Sequence, residues 1–197
     1  MFKIGITGGI GSGKTTVCKV FETLGIPVFY ADQMAKQLMV TDVNLIAAVK
    51  NAFGEQSYSS NGVLNHKHLA EIVFNDKNAL KQLNALVHPA VFRAFDIWAK
   101  KASLSAPYVL KEAALLFESG SYTTCDHTVL VTSPLSVKLS RVMKRDLVSE
   151  KEVMLRMDKQ FTDEQKIKLA NFLIHNTEDH SIILQVLALH QQFLALS

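Results

Sequence analysis

The chain has 197 residues, of which 48% are hydrophobic and 20% charged, and its formal net charge is +3. This length and composition are typical of one compact globular unit and exclude disordered, collagen-like and solenoid proteins. The positive charge excess is small and dispersed, so we expect no nucleic-acid partner. The sequence contains no apolar run of about 18 residues, so we expect no transmembrane helix. The N-terminus lacks the apolar core of a signal peptide, and Cys18 and Cys125 form no disulfide framework, so we expect a cytoplasmic protein.

Glycines crowd the beginning of the chain, where five of the nine fall between positions 5 and 13. Residues 1–6, which lead into this stretch, have the pattern of a strand. After them, apolar residues from Val17 to Leu24 recur at helical spacing, and Gly25 stands where the helix should end. The predicted order is therefore strand, glycine loop, helix.

The loop from Gly8 to Thr15 matches G-x-x-x-x-G-K-[ST], the pattern of a phosphate-binding loop. Its glycines let successive backbone N–H groups approach a phosphate, and the following helix directs the positive end of its dipole at the same anion. Lys14 can reach the β- and γ-phosphates, and the Thr15 hydroxyl can bind Mg²⁺. The predicted nucleotide-binding residues are Gly8, Gly9, Gly11, Ser12, Gly13, Lys14, Thr15 and Thr16.

The middle of the chain is predicted to be helical. A short strand at 26–30 leads into a helix near Asp32, and apolar stripes at helical spacing then continue from 42 to 103. We expect one helix of this region to open at Asp76, and the next to begin after His88 with Pro89 at its first position.

The last part of the chain alternates between strands and helices. Strands are predicted at 108–110, 128–132 and 172–176. Two helices are expected to begin with capping boxes, formed by Ser149 with Glu152 and by Thr162 with Gln165. Strands separated by helices, with a phosphate loop after the first, predict an α/β fold of the P-loop NTPase type, in which a parallel sheet carries helices on both faces.

The phosphate loop indicates a nucleoside triphosphate but does not identify the reaction. The chain lacks the N/T-K-x-D motif of GTPases and is short for an ATPase motor. A small-molecule kinase would need a group that orients the acceptor hydroxyl. Asp32 is a candidate because it ends the second predicted strand, and ligands of parallel sheets lie beyond the carboxyl ends of strands. Spacing alone favours equally a helix N-cap at this position.

A kinase also needs cations that close over the transferred phosphoryl group, and residues 138–159 are a candidate source. They contain seven basic and four acidic residues, so their charge of 7 − 4 = +3 equals that of the whole chain. Arg141 and Arg145 lie one helical turn apart on one face and could clamp phosphate oxygens. The pattern by itself favours the alternative, a solvated helical face.

Together these motifs resemble the dephospho-CoA kinase family over nearly the full length of the chain. The matching segments are Thr7 to Thr15, Leu24 to Val28, Ala31 to Ala35, Leu83 to Pro89 and Leu115 to Glu118, followed by Arg141, Arg145, Asp146, Arg156 and Gln160. The loop combined with A-D-x-x-A and L-N-x-x-x-H-P, in this order, is specific to the family. Tyr30, Ala114 and Asn171 depart from its pattern.

The resemblance implies ATP-dependent phosphorylation of the 3′-hydroxyl of dephospho-CoA, with Mg²⁺ as cofactor. It implies one kinase domain over residues 1–197, with a core at about 1–40 and 104–197, a helical acceptor-binding insertion at about 41–103 and a lid at about 138–160. Lys14, Asp32, Arg141 and Arg145 become the expected catalytic residues.

The same resemblance assigns the acceptor site and the metal site. Asp32, His88 and Pro89 become acceptor-binding residues and Thr15 the metal ligand, with Glu112 as a further candidate for holding Mg²⁺ through water. By itself His88 would be a core residue or a helix start. Two other functions stay open, a kinase of the nucleoside monophosphate type and a non-catalytic nucleotide-binding regulator. The oligomeric state is not implied.

Overall fold

The computed structural model describes residues 1–102 and 104–197, with Asn75 described by its backbone. The strands are β1 (Phe2–Thr7), β2 (Val28–Tyr30), β3 (Tyr108–Glu112), β4 (His127–Thr132) and β5 (Phe172–His175). The helices are α1 (Lys14–Thr23), α2 (Ala31–Thr41), α3 (Val43–Phe53), α4 (His66–Asn75), α5 (Lys77–Ala102), α6 (Leu135–Asp146), α7 (Glu150–Met157), α8 (Asp163–Ile167) and α9 (Ile182–Leu196), with short 3-10 turns at Glu55–Ser57 and Ser121–Thr124. None of the helices in these residues combines the length and the hydropathy that crossing a bilayer requires.

The strands form one parallel sheet in the order β2-β3-β1-β4-β5. β1 lies in the middle, paired with β3 through Ile6 and Glu112 and with β4 through Thr7 and Leu130. Because all the strands run in the same direction, their carboxyl ends lie at one edge, where the phosphate loop leaves β1.

The two faces of the sheet are covered differently. On one face α1 and α9 bury an apolar cluster that includes Ile6 of β1, Phe21 of α1 and Phe193 of α9. On the other face, the segment that follows β3 packs closely against Gly5 of β1. A Cβ atom added to Gly5 would stand 2.7 Å from the Leu116 side chain. On this evidence of topology the predicted α/β fold is confirmed.

The chain divides into two compact units, one of residues 1–30 and 98–197 and the other of residues 31–97. The second unit has its own apolar contacts, since Leu45, Val49 and Phe53 of α3 are buried. In the same unit the Tyr58 hydroxyl donates a hydrogen bond to Met39 O at 2.7 Å. The single kinase domain with its insertion remains a prediction, and residue 103, the predicted end of that insertion, lies outside the described residues.

The predicted helix boundary at His88 and Pro89 is wrong, because α5 continues through both residues. Proline lacks the N–H that a helix interior requires and normally interrupts the helix. Here Val87, Val91 and Phe95 form one buried stripe at a spacing of one turn, before and after the proline. Burial of this stripe offsets the missing hydrogen bond.

The predicted helix starts at Asp76, Ser149 and Thr162 are confirmed. The Asp76 carboxylate accepts a hydrogen bond from Asn78 N at 2.7 Å, at the beginning of α5. Both capping boxes are present, with Ser149 before α7 and Thr162 before α8. These short polar residues satisfy N–H groups that have no partner inside the helix, which is why their pattern is readable from sequence.

Candidate active site

The phosphate loop links β1 to α1 and takes its shape from glycines. Gly11 and Gly13 have φ angles of +80° and +92°, in the left-handed region that other residues avoid. Gly13 is also the residue that precedes the first turn of α1. Ser12 N donates to Gly9 O at 3.0 Å and closes a turn within the loop. The loop therefore leads into a helix whose first N–H groups have no partner inside the helix and suit an anion.

Gly13 combines a left-handed φ with lack of space, because a Cβ atom there would collide with the Asn176 amide nitrogen. We expect Gly13→Ala to lower the free energy of unfolding by more than the roughly 1–2 kcal/mol of left-handed strain alone. Gly25→Ala is a matched control, since Gly25 has a φ of +80° with nothing within 4 Å of the added atom. Urea denaturation of both variants measures the difference, and equal losses would contradict the described contact.

Lys14 stands at the start of α1, where its Nζ donates to the carbonyl oxygens of Gly8 at 3.0 Å and Gly9 at 3.4 Å. Thr15 and Thr16 follow it in the first turn of the same helix and are exposed. The structure thus brings together, at the carboxyl end of β1, the residues that the sequence predicts to bind nucleotide.

Arg141 reaches the phosphate loop from α6. Its guanidinium group donates to Gly11 O and to Ser133 Oγ at 3.4 Å each, and to Asn176 Oδ1 at 3.3 Å. A positive charge is therefore held against the loop by residues from two strand ends. The predicted role of Arg141 as a clamp for phosphate oxygens stays a prediction.

Arg145 has a different partner, although it lies one turn from Arg141. Its guanidinium group binds both carboxylate oxygens of Asp146, at 2.7 and 3.2 Å, and Arg156 donates to Asp146 Oδ2 at 2.7 Å. These hydrogen bonds hold the pKa of Asp146 below its usual range, and the largest contribution comes from Arg145. Arg145 is thus held by its neighbour, and its predicted catalytic role stays a prediction.

Asn176 and Ser133 belong to this site, and sequence reasoning did not select them. The buried Asn176 side chain donates to Ser12 O at 2.7 Å, while Ser133 Oγ donates to Asn176 O at 2.9 Å. Each residue directly follows a strand, β5 or β4 respectively. Since ligand sites of parallel sheets lie beyond the carboxyl ends of the strands, that position was a usable signal.

A cavity of about 590 Å³ adjoins the phosphate loop at Gly9. Its lining residues are Gly9, Ser133, Pro134, Leu135, Lys138, Met154, Met157, Asp158, Gln160, Phe161, Thr162, Asp163 and Glu164. Lys138 is largely buried in its wall and forms an ion pair with Asp163 at 2.7 Å. The segment that follows α7 thereby contributes one wall of a space that opens on the loop.

Glu112 ends β3 and lies beside the last residues of two other strands, with Ile6 and Tyr30 as its register partners. The Glu112 side chain is buried.

Burial of Cys18, together with the negative charge of Glu112, raises the pKa of the Cys18 thiol. A thiol that resists ionisation is a poor nucleophile, which favours a structural role for Cys18.

The predicted acceptor-binding residues lie in the unit of residues 31–97. Asp32 is exposed and is the second residue of α2, so it lies inside the first turn rather than at the N-cap. His88 is half-buried inside α5, with its ring centroid 6.2 Å from that of Phe92, and Pro89 is exposed beside it. Their predicted acceptor role stays a prediction.

The sequence profile of the dephospho-CoA kinase family matches residues 2–181 of this chain. The chain belongs to the dephospho-CoA kinase family. A curated dephospho-CoA kinase from Salinibacter ruber is 41% identical over 177 residues, which cover 89% of each chain. A solved structure from Thermus thermophilus is 35% identical with a TM-score of 0.83, over 97% of this chain and 96% of that one. Dephospho-CoA kinase from Campylobacter jejuni is 26% identical with a TM-score of 0.69, over 98% and 97%.

Contacts explain how this dephospho-CoA kinase family member accommodates its departures from the family pattern. Ala114 contributes a backbone oxygen, which accepts from Gln160 Nε2 at 3.3 Å and which any residue type would supply. Asn171 Oδ1 accepts from Thr128 N at 2.9 Å and from its hydroxyl at 3.1 Å, which ties β5 to β4. The Tyr30 hydroxyl donates to Glu22 at 3.1 Å.

Proposed function

We propose that this protein transfers the γ-phosphoryl group of ATP to the 3′-hydroxyl of dephospho-CoA, giving CoA and ADP. The observation that carries the proposal is the phosphate loop with Lys14 at its helix end and the Arg141 guanidinium held against Gly11. Membership of the dephospho-CoA kinase family, and relatives of that name over 89% of the chain, support this acceptor.

Phosphoryl transfer demands positioning and positive charge more than covalent chemistry, because negative charge spreads over the phosphoryl oxygens in the transition state. In this proposal backbone N–H groups of the loop bind the phosphates, apart from those of Ile10 and Ser12, which bond to Gln160 and to Gly9 O. Lys14 exchanges its carbonyl partners for β- and γ-phosphate oxygens, and its ammonium group is already held at the loop by Gly8 and Gly9.

Asp32 is proposed to orient the 3′-hydroxyl and accept its proton as the oxygen attacks the γ-phosphorus. The residue lies two positions beyond the end of β2 and is exposed, so its carboxylate is accessible to an acceptor. His88 and Pro89 are proposed to form part of the acceptor pocket. Their half-buried and exposed side chains leave surface for a ligand.

The oxygen atoms at the carboxyl edge of the sheet suit Mg²⁺, which prefers hard ligands and keeps several waters. The exposed Thr15 hydroxyl would bind the ion directly, and the buried Glu112 carboxylate would hold it through water. Within residues 1–102 and 104–197 no three His, Cys, Asp or Glu side chains converge on a metal position. When bound, Mg²⁺ neutralises phosphate charge.

Residues 138–160 are proposed to act as a lid that brings further cations to the transferring phosphoryl group and excludes water. Arg141 already donates a hydrogen bond to Gly11 O of the loop. Arg145 is proposed as a second cation that binds phosphate oxygens. To do so, its guanidinium group must leave the Asp146 carboxylate. Hydrogen exchange across 138–160 should slow when a non-hydrolysable ATP analogue and dephospho-CoA are bound, and unchanged protection would contradict the lid.

Arg141→Ala is expected to lower kcat more than it weakens dephospho-CoA binding. An arginine supplied to a transferring phosphoryl group is worth roughly 10³–10⁵ in rate, and the loss is smaller where several cations share the charge. Lys144→Ala is a matched control, because Lys144 is an exposed cation on the same helix. Steady-state kinetics of both variants separate a direct contact from a general loss of positive charge, and equal effects would overturn the role of Arg141.

A coupled assay of ADP release tests which acceptor the protein phosphorylates. We expect ADP release with dephospho-CoA, and none above background with AMP or other nucleosides. ADP release with AMP instead would favour a kinase of the nucleoside monophosphate type, and no release with any acceptor would favour a nucleotide-binding regulator. The cytoplasmic location, and the absence of nucleic-acid and membrane partners, remain predictions.

A further inference from the structure

The side chain of Gln160 connects the phosphate loop to the segment that follows β3. Its Oε1 accepts a hydrogen bond from the backbone N–H of Ile10 at 2.9 Å. Its Nε2 donates to the carbonyl oxygen of Ala114 at 3.3 Å. One partner is a donor and the other an acceptor, so a side-chain amide satisfies both, whereas a carboxylate or an apolar side chain does not.

The bond to Ile10 fixes one peptide of the loop. The N–H of Ile10 and the carbonyl of Gly9 belong to the same planar trans unit and point in opposite directions. While Gln160 holds the N–H, the Gly9 oxygen faces the inside of the loop, where it accepts from Ser12 N at 3.0 Å and from Lys14 Nζ at 3.4 Å. The orientation of this peptide therefore sets the turn and supplies one of the two loop carbonyls that hold Lys14, the other being Gly8 O at 3.0 Å.

Other contacts hold the backbone around Gln160 independently of its side chain. Phe161 N donates to Glu118 Oε1 at 2.8 Å, and Asp163 forms its ion pair with Lys138 at 2.7 Å. Removing the Gln160 amide thus removes the bond to the Ile10 N–H but leaves the neighbouring segment attached.

We propose that Gln160 is a positioning residue for ATP, which acts by fixing the Gly9–Ile10 peptide and through it Lys14 and the Ser12 turn. The inference rests on the proposed function, since it concerns the same nucleotide site. It assigns a role to the last residue of the proposed lid segment.

Gln160→Met tests the proposal, since methionine has a similar length and offers no amide. We expect the Kd for a non-hydrolysable ATP analogue with Mg²⁺, measured by isothermal titration, to rise by roughly three- to tenfold, the equivalent of one hydrogen bond between uncharged groups. The KM for ATP should rise in parallel, while the KM for dephospho-CoA stays within about twofold. A merely structural role would lower the melting temperature and the active fraction and leave both constants unchanged.

Gln165→Met is the matched control, because Gln165 caps α8 through Thr162 N at 2.9 Å in the same part of the chain. It should lower the melting temperature and leave the Kd for the analogue unchanged. If Gln160→Met does not fold, Gln160→Asn replaces it, since the shorter side chain cannot reach Ile10 and Ala114 together. Analogue binding by the folded Gln160 variant within about twofold of the wild-type value, or no more affected than in Gln165→Met, overturns the proposal.

The binding measurement is independent of the acceptor. A wild-type protein that binds the analogue but does not phosphorylate dephospho-CoA would overturn the proposed function, while the titration would still decide the role of Gln160. A wild-type protein that does not bind the analogue would overturn both.

Discussion

Lys14→Ala is expected to reduce phosphoryl transfer by roughly 10³-fold or more while leaving the fold nearly intact. Lys14 is the one cationic side chain within the loop sequence, so its loss removes the charge that is proposed to bind the β- and γ-phosphates. Its Nζ bonds to loop carbonyls, whereas the core of α1 is made by Val17, Cys18 and Phe21. The substitution therefore changes the site without opening a cavity in the core.

Lys19→Ala controls for the loss of a lysine from the same helix, because Lys19 is exposed on α1. Both variants should melt near the wild-type temperature, and only Lys14→Ala should lose turnover in a coupled ADP assay. A folded Lys14→Ala protein with near wild-type turnover would overturn the assignment of the phosphate loop.

Asp32→Asn is expected to keep both substrates bound and to slow kcat by about 10²–10⁴-fold, the range of a general base. An amide keeps the size and a hydrogen-bonding oxygen but cannot accept the proton of the attacking hydroxyl. The competing explanation is local, because a carboxylate in the first turn of α2 also stabilises the helix dipole. That contribution is typically about 0.3–1 kcal/mol of stability and predicts no loss of rate.

Asp42→Asn separates the two roles of an aspartate at a helix start. Asp42 is the N-cap of α3 and accepts from Asn44 N and Leu45 N at 3.0 Å each. This variant should alter stability slightly and leave kcat unchanged. If Asp32→Asn behaves in the same way, with a normal kcat, Asp32 is only a helix-start residue and the proposed base is wrong.

The features that sequence analysis predicts correctly are those specified by local chemistry. The loop from Gly8 to Thr15 needs glycine where φ is positive, and the capping boxes need Ser149 and Thr162 before their helices. Such requirements act over a few residues, so their spacing along the chain carries the information.

The features that the sequence does not predict depend on tertiary contacts. Pro89 should start a helix by local rules, and the buried stripe of Val87 and Val91 keeps it inside α5 instead. Asn176 lies 164 residues from Ser12, whose carbonyl it binds, and no local pattern links the two. The bond between Arg145 and Asp146 is likewise not predicted. The spacing of Arg145 and Arg141 predicts that they share a helix face, but it does not predict which carboxylate Arg145 binds.

The position of phosphorylation tests the central claim most directly. Dephospho-CoA and its 2′-deoxy and 3′-deoxy analogues can each be incubated with ATP, Mg²⁺ and the protein, and the products identified by mass spectrometry. The proposed reaction predicts a phosphorylated product from dephospho-CoA and from the 2′-deoxy analogue, and none from the 3′-deoxy analogue. Phosphorylation of the 3′-deoxy analogue, or of none of the three by a protein that binds ATP, would contradict the account.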